Sequence, residues 1–107
     1  MQLSIIIPLF NEEESLEELN EAIEKVVSNM DIDYEVIYID DGSTDNSWNI
    51  ITNLSETSFN LKGIKFLRNF GKSQALCAGF DAALGKVVIT MDADLQDDPN
   101  EIPCLLY

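Results

Sequence analysis

Histidine is absent from this chain of 107 residues, which holds only six basic residues and two cysteines. Without histidine, neither a Ser-His-Asp nor a Cys-His catalytic mechanism can be built from this chain alone. Cys77 and Cys104 lie far apart in the sequence and do not suggest a disulfide framework, so a reducing compartment fits best. A structural zinc site is not expected, since few zinc ligands other than carboxylates are present.

The sequence also lacks a long apolar run. No stretch approaches the roughly 18–20 apolar residues that a membrane-spanning helix needs, and an N-terminus without a basic region, interrupted by Pro8, is not a signal peptide. The net charge is −14, from 20 acidic and 6 basic residues. This charge argues against nucleic acid or anionic lipid as a direct partner, and it requires a cation beside any bound phosphate.

Short apolar strands alternate with amphipathic helices along the chain. Strands are predicted at residues 3–8, 34–40, 64–67 and 87–90, and helices at residues 11–28, 44–54 and 73–84, with a polar loop at residues 55–60. Asn11, paired with Glu14, is the predicted N-cap of the first helix, Ser43 or Thr44 that of the second, and Gly85 the C-cap of the third. Repeated strand–helix units predict a doubly wound, three-layer α/β/α fold with a mainly parallel sheet in the order 3-2-1-4.

Two carboxylates and an amide follow the fourth predicted strand at every second position, as Asp92, Asp94 and Gln96. The strand itself is apolar throughout, which is typical of a strand buried on both faces. In an extended chain these three side chains share a face, and their oxygens suit Mg²⁺ or Mn²⁺. A solvated acidic turn is the plainer interpretation of such a pair. A calcium loop is excluded, because Asp97 replaces its glycine and Pro103 its final glutamate.

Polar residues also follow the other three predicted strands, namely Asn11-Glu12, Asp40-Asp41, and Arg68 with Lys72. Because the carboxyl ends of parallel strands lie at one edge of a sheet, these residues predict a ligand site. One of the two adjacent aspartates should point into the crevice, where it would accept a hydrogen bond from a base or a ribose, or else cap the turn. Lys72 and Arg68 either balance the charge of a bound diphosphate or only compensate the negative charge of the surrounding acidic residues.

Neither common phosphate-binding loop is present. Gly71-Lys72-Ser73 resembles the end of a P-loop, but Phe66 stands where the first glycine is required, and no Gly-x-Gly-x-x-Gly follows the first strand. A carboxylate-bound divalent cation is therefore the expected phosphate ligand.

Three stretches in order resemble the signature of the inverting nucleotide-sugar glycosyltransferases of family 2, which have the GT-A fold: residues 5–12 (IIIPLFNE), 39–45 (IDDGSTD) and 91–96 (MDADLQ). Residues 68–72 (RNFGK) and 94–103 narrow the resemblance to the branch that transfers a hexose to a polyprenyl phosphate, the dolichyl-phosphate mannose synthase-like enzymes. The chain then corresponds to the Rossmann-like nucleotide-binding half of a GT-A domain.

The resemblance implies roles for particular residues. Phe10 occupies a position that is often tyrosine in the family, so one hydroxyl contact would be missing. The catalytic residues are expected beyond Tyr107. The predicted metal ligands, for Mg²⁺ or Mn²⁺, are Asp92, Asp94 and Gln96. The predicted nucleotide-binding residues are Pro8, Phe10, Glu12, Ile39, Asp41, Lys72, Asp92 and Ala93.

The function implied is metal-dependent transfer, with inversion, of a sugar from a UDP- or GDP-sugar to an acceptor, expected to be a polyprenyl phosphate. The resemblance also implies a cytoplasmic location at the inner face of the membrane and a role in cell envelope glycan synthesis. Two alternatives are a nucleotidyltransferase of sugar phosphates, which should carry a glycine-rich basic loop after the first strand, and a receiver-like Mg²⁺-binding signalling domain, whose acidic pair should follow strand 1.

A further helix is predicted to begin at Asp98 and Pro99, shortly before Tyr107. We expect residues 1–107 to be the N-terminal, nucleotide-sugar-binding portion of one larger domain, which alone binds metal and nucleotide weakly and does not turn over. The unfinished core should leave apolar surface exposed, so a homo-oligomer is expected.

Overall fold

The sheet is parallel and has four strands in the order β3-β2-β1-β4, as predicted. A computed structural model describes residues 1–94 and 99 of the chain. The strands are β1 (Leu3–Leu9), β2 (Tyr34–Asp40), β3 (Leu61–Lys65) and β4 (Val87–Thr90). The helices are α1 (Leu16–Val27), α2 (Ser47–Thr57) and α3 (Lys72–Ala82), with one 3-10 turn at Ser28–Met30.

Alternation along β1 divides the core into two layers. Ile5 and Ile7 face α1 and α2, whereas Ile6 faces α3, and all three are fully buried. The helix α1 contributes its predicted apolar stripe to the first layer, through the buried residues Leu16, Leu19, Ile23 and Val27. With helices on both faces of the sheet, the chain has the predicted α/β/α arrangement.

Small residues let α3 lie close to the sheet. Ala75 and Gly79 are buried on its inner side. A Cβ on Gly79 would lie 2.4 Å from Cγ2 of Ile6 and 3.0 Å from Cδ1 of Ile39. The backbone of α3 therefore approaches β1 and β2 more closely than any larger residue at this position would allow.

The starts of the first two helices were predicted too early. Asn11 has φ 53°, in the left-handed region, and α1 begins only at Leu16 with Ser15 at the N-cap. The helix α2 begins at Ser47 rather than after Ser43 or Thr44, and the Ser47 N–H donates to Asp45 Oδ1 at 2.9 Å. Both errors have one cause, since the polar residues assigned as caps bond across to the neighbouring loop instead.

Other boundaries also differ from the prediction. The helix α2 continues through residues 55–57, which had been assigned to a polar loop. The strand β3 spans Leu61–Lys65 instead of residues 64–67, because pairing with β2 aligns Leu61 with Val36. The C-cap of α3 is Ala83 and not Gly85, whose N–H donates to the Ser4 hydroxyl. The helix predicted from Asp98 lies, apart from Pro99, outside the described residues.

The strand β4 is less buried than its apolar sequence predicted. Ile89 is buried, but Val87 and Val88 are 40% and 37% exposed. Within the described part of the chain, β4 pairs with β1 alone, and α3 packs over β1 and β2. On its other side, β4 pairs with no strand among residues 1–94 and 99. Over residues 1–94 and 99, no helix has both the length and the apolarity to cross a membrane.

Candidate nucleotide and metal site

A pocket of about 320 Å³ opens at the carboxyl edge of the sheet, where β1 and β4 lie side by side. This is the switch point of the strand order, the position at which doubly wound sheets bind ligands. Its volume lies within the range of small-molecule sites. The pocket is lined by Pro8, Leu9, Phe10, Glu12, Asp41, Lys72, Asp92, Ala93 and Asp94.

All but two of the predicted site residues line this pocket. Ile39 does not, because its side chain is fully buried under α3, in contact with the apolar layer that holds Ile6 and Ala75. Gln96 lies outside the described residues. Leu9 is a lining residue that the sequence did not indicate, since an apolar residue at a strand end resembles any other core position.

The loops after β1 and β2 are joined through Asn11. Its side-chain Oδ1 accepts the N–H groups of Thr44 at 2.8 Å and Asp45 at 3.3 Å, while its own N–H donates to Ser43 Oγ at 2.8 Å. The left-handed backbone turns the asparagine towards this loop, a conformation that asparagine tolerates better than most residues. The predicted helix cap therefore joins two loops.

Asp45 strengthens the same junction. Its Oδ2 accepts the Glu13 N–H at 3.3 Å, while Oδ1 accepts the Ser47 N–H. Burial alone would raise the pKa of Asp45, but the hydrogen bonds from Ser47 and the Glu13 N–H outweigh it and hold that pKa below its ordinary value. The carboxylate therefore stays charged at neutral pH, which is the form that accepts both N–H groups.

Asp41 joins the loop after β2 to the loop before α3. Its Oδ1 accepts the Phe70 N–H at 2.8 Å and its Oδ2 the Gly71 N–H at 3.1 Å. Gly42 makes this approach possible, because a Cβ at this residue (φ +79°) would lie 2.3 Å from the carbonyl carbon of Arg68. The adjacent Asp40 is fully buried, and its Oδ1 accepts the Ser43 N–H at 2.8 Å. Only the second aspartate lines the pocket.

Lys72, the first residue of α3, joins that helix to the segment after β4. Its Nζ lies 2.8 Å from Asp92 Oδ1, with the two side chains 64% and 41% exposed. An ion pair this exposed contributes about 0–1 kcal/mol to stability. Its effect is therefore electrostatic and local, namely a positive charge held inside an acidic pocket.

Ser15 joins the segment after β4 back to the loop after β1. Its hydroxyl donates to the Ala93 carbonyl at 2.7 Å and lies 2.9 Å from Glu12 Oε2. Nothing in the sequence marks Ser15 for this contact, because it joins residues 78 positions apart. With this contact the four segments, residues 10–15, 41–46, 66–72 and 91–94, form a closed circle of contacts around the pocket, which we call the loop ring.

The donor set of the pocket fits a divalent cation. Four carboxylates line it, from Glu12, Asp41, Asp92 and Asp94, against the single lining cation of Lys72. No three acids or thiols converge into a ready-made metal cage among residues 1–94 and 99. Mg²⁺ and similar hard cations are commonly held by one or two carboxylates together with substrate phosphates and water, and Asp92 and Asp94 match that arrangement.

The fold and the pocket define a doubly wound α/β domain with an acidic pocket at its carboxyl edge. The model of the family described as glycosyl transferase family 2 matches residues 4–107. The chain therefore belongs to glycosyltransferase family 2. Membership of this family removes the receiver-like and nucleotidyltransferase alternatives.

Curated relatives and solved structures agree with this family. An undecaprenyl-phosphate 4-deoxy-4-formamido-L-arabinose transferase from Shewanella sediminis is 46% identical over 97% of this chain and 32% of the relative. The corresponding transferase from Proteus mirabilis is 43% identical over 98% of this chain and 32% of the relative. The chain thus spans about a third of the length of these curated relatives.

Two solved structures share the fold. Staphylococcus aureus TarS 1-349 in complex with UDP superposes with a TM-score of 0.76 at 28% identity, covering 88% of this chain and 28% of that one. The mannosyltransferase PcManGT from Pyrobaculum calidifontis, in complex with GDP-Man and Mn²⁺, gives a TM-score of 0.77 at 28% identity over 87% of this chain and 27% of that one. The sheet is thus that of the GT-A glycosyltransferases, as expected.

Proposed function

We propose that this chain forms the nucleotide-sugar-binding part of a metal-dependent glycosyltransferase that transfers a sugar, with inversion, to a polyprenyl phosphate. The observation that carries the proposal is the convergence of Asp92 and Asp94 with Glu12 and Asp41 on one pocket. The relatives named for undecaprenyl phosphate support the acceptor, and the solved structures with UDP or with GDP-Man and Mn²⁺ support the donor.

The nucleoside is assigned to the side of the pocket formed by Pro8, Phe10, Glu12 and Asp41. Phe10 is 44% exposed and offers an aromatic face to a base. Glu12 and Asp41 offer acceptors to base N–H groups or ribose hydroxyls. Both oxygens of Asp41 already accept a backbone N–H, but each carboxylate oxygen has a second lone pair for a ligand.

The diphosphate is assigned to the side formed by Lys72, Asp92 and Asp94. The two aspartates would hold Mg²⁺ or Mn²⁺, and Gln96 remains a predicted third ligand. When bound, the metal supplies Lewis-acid stabilisation of the negative charge on the departing diphosphate. Lys72 contributes a positive charge that pairs with Asp92 in the free pocket and has a second anionic partner once a diphosphate is present.

The transfer is one displacement at the anomeric carbon. An acceptor oxygen forms a bond to that carbon from the face opposite the diphosphate, and the bond to the diphosphate oxygen breaks with its electron pair, so the configuration inverts. A polyprenyl phosphate is already an anion, and its oxygen needs no general base to remove a proton. The whole protein would act on this lipid at the inner face of the membrane.

Nucleotide binding tests the proposal. Unfolding of the protein at its natural length is followed with Mn²⁺ alone and with Mn²⁺ plus UDP or GDP, for the wild type, Asp94→Ala and the exposed control Asp81→Ala. A ligand at about 100 times its Kd should stabilise the wild type and the control by about 2.7 kcal/mol. Asp94→Ala should lose the metal-dependent part. Equal metal-dependent stabilisation of all three proteins would contradict the site, and absence of sugar transfer to undecaprenyl phosphate would contradict the acceptor.

A further inference from the structure

The Ser15 hydroxyl lies between the two sides of the pocket. On one side its Oγ is 2.9 Å from Glu12 Oε2, which belongs to the proposed nucleoside side. On the other side it is 2.7 Å from the carbonyl of Ala93, the residue between the two proposed metal ligands. Ser15 does not line the cavity itself, but its hydroxyl contacts a residue on each side of it.

This hydroxyl is not used for capping α1. Ser15 is the N-cap residue, yet its side chain makes no cap hydrogen bond, and the helix start depends on the Ser15 carbonyl, which accepts the Leu19 N–H at 2.9 Å. Removal of the hydroxyl therefore leaves the helix start in place, and its effect on the pocket can be separated from an effect on folding.

A hydroxyl has one proton to donate, and here three acceptors compete for it: the Ala93 carbonyl at 2.7 Å, the Glu12 carboxylate at 2.9 Å and the more distant Glu12 carbonyl at 3.3 Å. A nucleoside hydroxyl or N–H that donates to Glu12 satisfies this carboxylate, and the Ser15 proton then goes to the Ala93 carbonyl, which is the nearer of the two remaining acceptors. Because Ala93 lies between Asp92 and Asp94, a fixed carbonyl restricts the backbone turn that orients both carboxylates.

We propose that Ser15 is a positioning residue that couples nucleoside binding at Glu12 to the orientation of the metal ligands Asp92 and Asp94. The proposal rests on the proposed function and extends it to the coupling between the nucleoside side and the metal side of the pocket. A filled nucleoside side prepares the metal side, so the metal should strengthen nucleotide binding through Ser15.

Titration calorimetry measures this coupling. UDP and GDP are each titrated into the protein at its natural length, with and without Mn²⁺. The coupling is the Kd of the nucleotide without Mn²⁺ divided by its Kd with Mn²⁺. Ser15→Ala should lower this ratio about three- to tenfold, the effect of one hydrogen bond, and leave the metal-free Kd within about twofold. Ser15→Thr should restore the ratio, and Ser55→Ala, at a half-buried serine of α2 that does not line the pocket, should not change it.

The Thr and Val variants of Ser15 form a second, shape-matched pair that differs in the hydroxyl alone, so the comparison stands even if Ser15→Ala fails to fold. An unchanged ratio in Ser15→Ala or Ser15→Val, with normal wild-type binding, overturns this inference alone. An equal loss of affinity with and without Mn²⁺ also overturns it, since Ser15 would then only shape the pocket. Absence of Mn²⁺-dependent nucleotide binding by the wild type overturns the proposed function and this inference together.

Discussion

Glu35 is a buried carboxylate far from the pocket, 1% exposed on β2. Its Oε2 accepts the Ser4 hydroxyl at 2.6 Å and the Leu84 N–H at 2.7 Å, and Lys62 Nζ lies 2.7 Å from Oε1 in an ionic contact that is not well directed. Burial alone would raise the pKa of Glu35, but Lys62, Ser4 and the Leu84 N–H outweigh it and lower that pKa below its ordinary value. This acid therefore favours the folded state in its charged form.

The stability of the chain should depend on pH through Glu35. Because the folded pKa is lowered, the contribution is full above the unfolded value of about 4.3 and is lost as pH falls through the folded value. Glu35→Gln should reduce the free energy of unfolding by about 1–2 kcal/mol at pH 7, and by less below about pH 4. Urea denaturation at both pH values checks this, with exposed Glu56→Gln as the control. A difference between wild type and Glu35→Gln that does not change with pH would contradict the assignment.

At the residue scale, the sequence predicted which residue types gather at the pocket but not how they are held. The acids at the strand ends were foreseeable, because parallel strands bring their carboxyl ends to one edge. The bonds of Asn11 and Ser15 were not, because each joins segments that only the folded sheet brings together. Ile39 lies beside the pocket residues in sequence, yet strand alternation turns its side chain to the buried layer under α3.

At the scale of elements, the close contact between α3 and the sheet depends on Gly79. Replacement by alanine would gain about 1 kcal/mol of helix propensity. It would also place a Cβ 2.4 Å from Cγ2 of Ile6, a fully buried residue of the central strand that has little room to move. Overpacking of this kind costs about 1–3 kcal/mol or more.

Gly79→Ala should therefore destabilise the chain by up to about 2 kcal/mol, because the clash exceeds the gain in helix propensity. Exposed Ser73→Ala in the same helix offers the matched control and should be neutral or slightly stabilising. Urea denaturation of both variants measures the sign of the change in the free energy of unfolding for each. Stabilisation by Gly79→Ala would show that α3 can move away from the sheet at no cost.

The order and type of the four described strands and three described α-helices could be predicted from the sequence, whereas several of their ends and the 3-10 turn could not. Both ends of β2 were predicted correctly, because its apolar residues are flanked by polar turn residues. The errors concentrate at the starts of α1 and α2, where serine, threonine and asparagine serve long-range bonds in place of local caps. The exposure of β4 was not predicted, because the apolar sequence of a strand shows that it can be buried but not which elements pack against it.

At the scale of the whole molecule, the side of β4 that no described strand covers and the net charge of −14 act in opposite directions. An edge strand with exposed Val87 and Val88 favours pairing with another copy, while the negative charge keeps copies apart. Salt screens the repulsion without weakening apolar contact, since the Debye length is only about 10 Å at 0.1 M.

We therefore expect the chain to associate, and the associated fraction to rise as salt increases from about 50 to 500 mM. Val88→Lys, which places a charge on the edge, should reduce association, and Thr52→Lys at an exposed position of α2 provides the same charge change away from β4. Sedimentation velocity measures the distribution. A monomer at every protein and salt concentration, or an equal effect of both lysines, would contradict an interface at β4.

The closure of the loop ring has a consequence for redundancy. A row of contacts separates into two pieces when one contact is cut, whereas a circle cut once remains connected, since each of the four segments is still held from its other neighbour. Loss of one junction therefore leaves every segment of the loop ring attached to at least one neighbouring segment. Loss of two opposite junctions divides the loop ring into two halves that no longer hold each other. Damage to the loop ring should accumulate in a threshold manner rather than in proportion to the number of junctions lost.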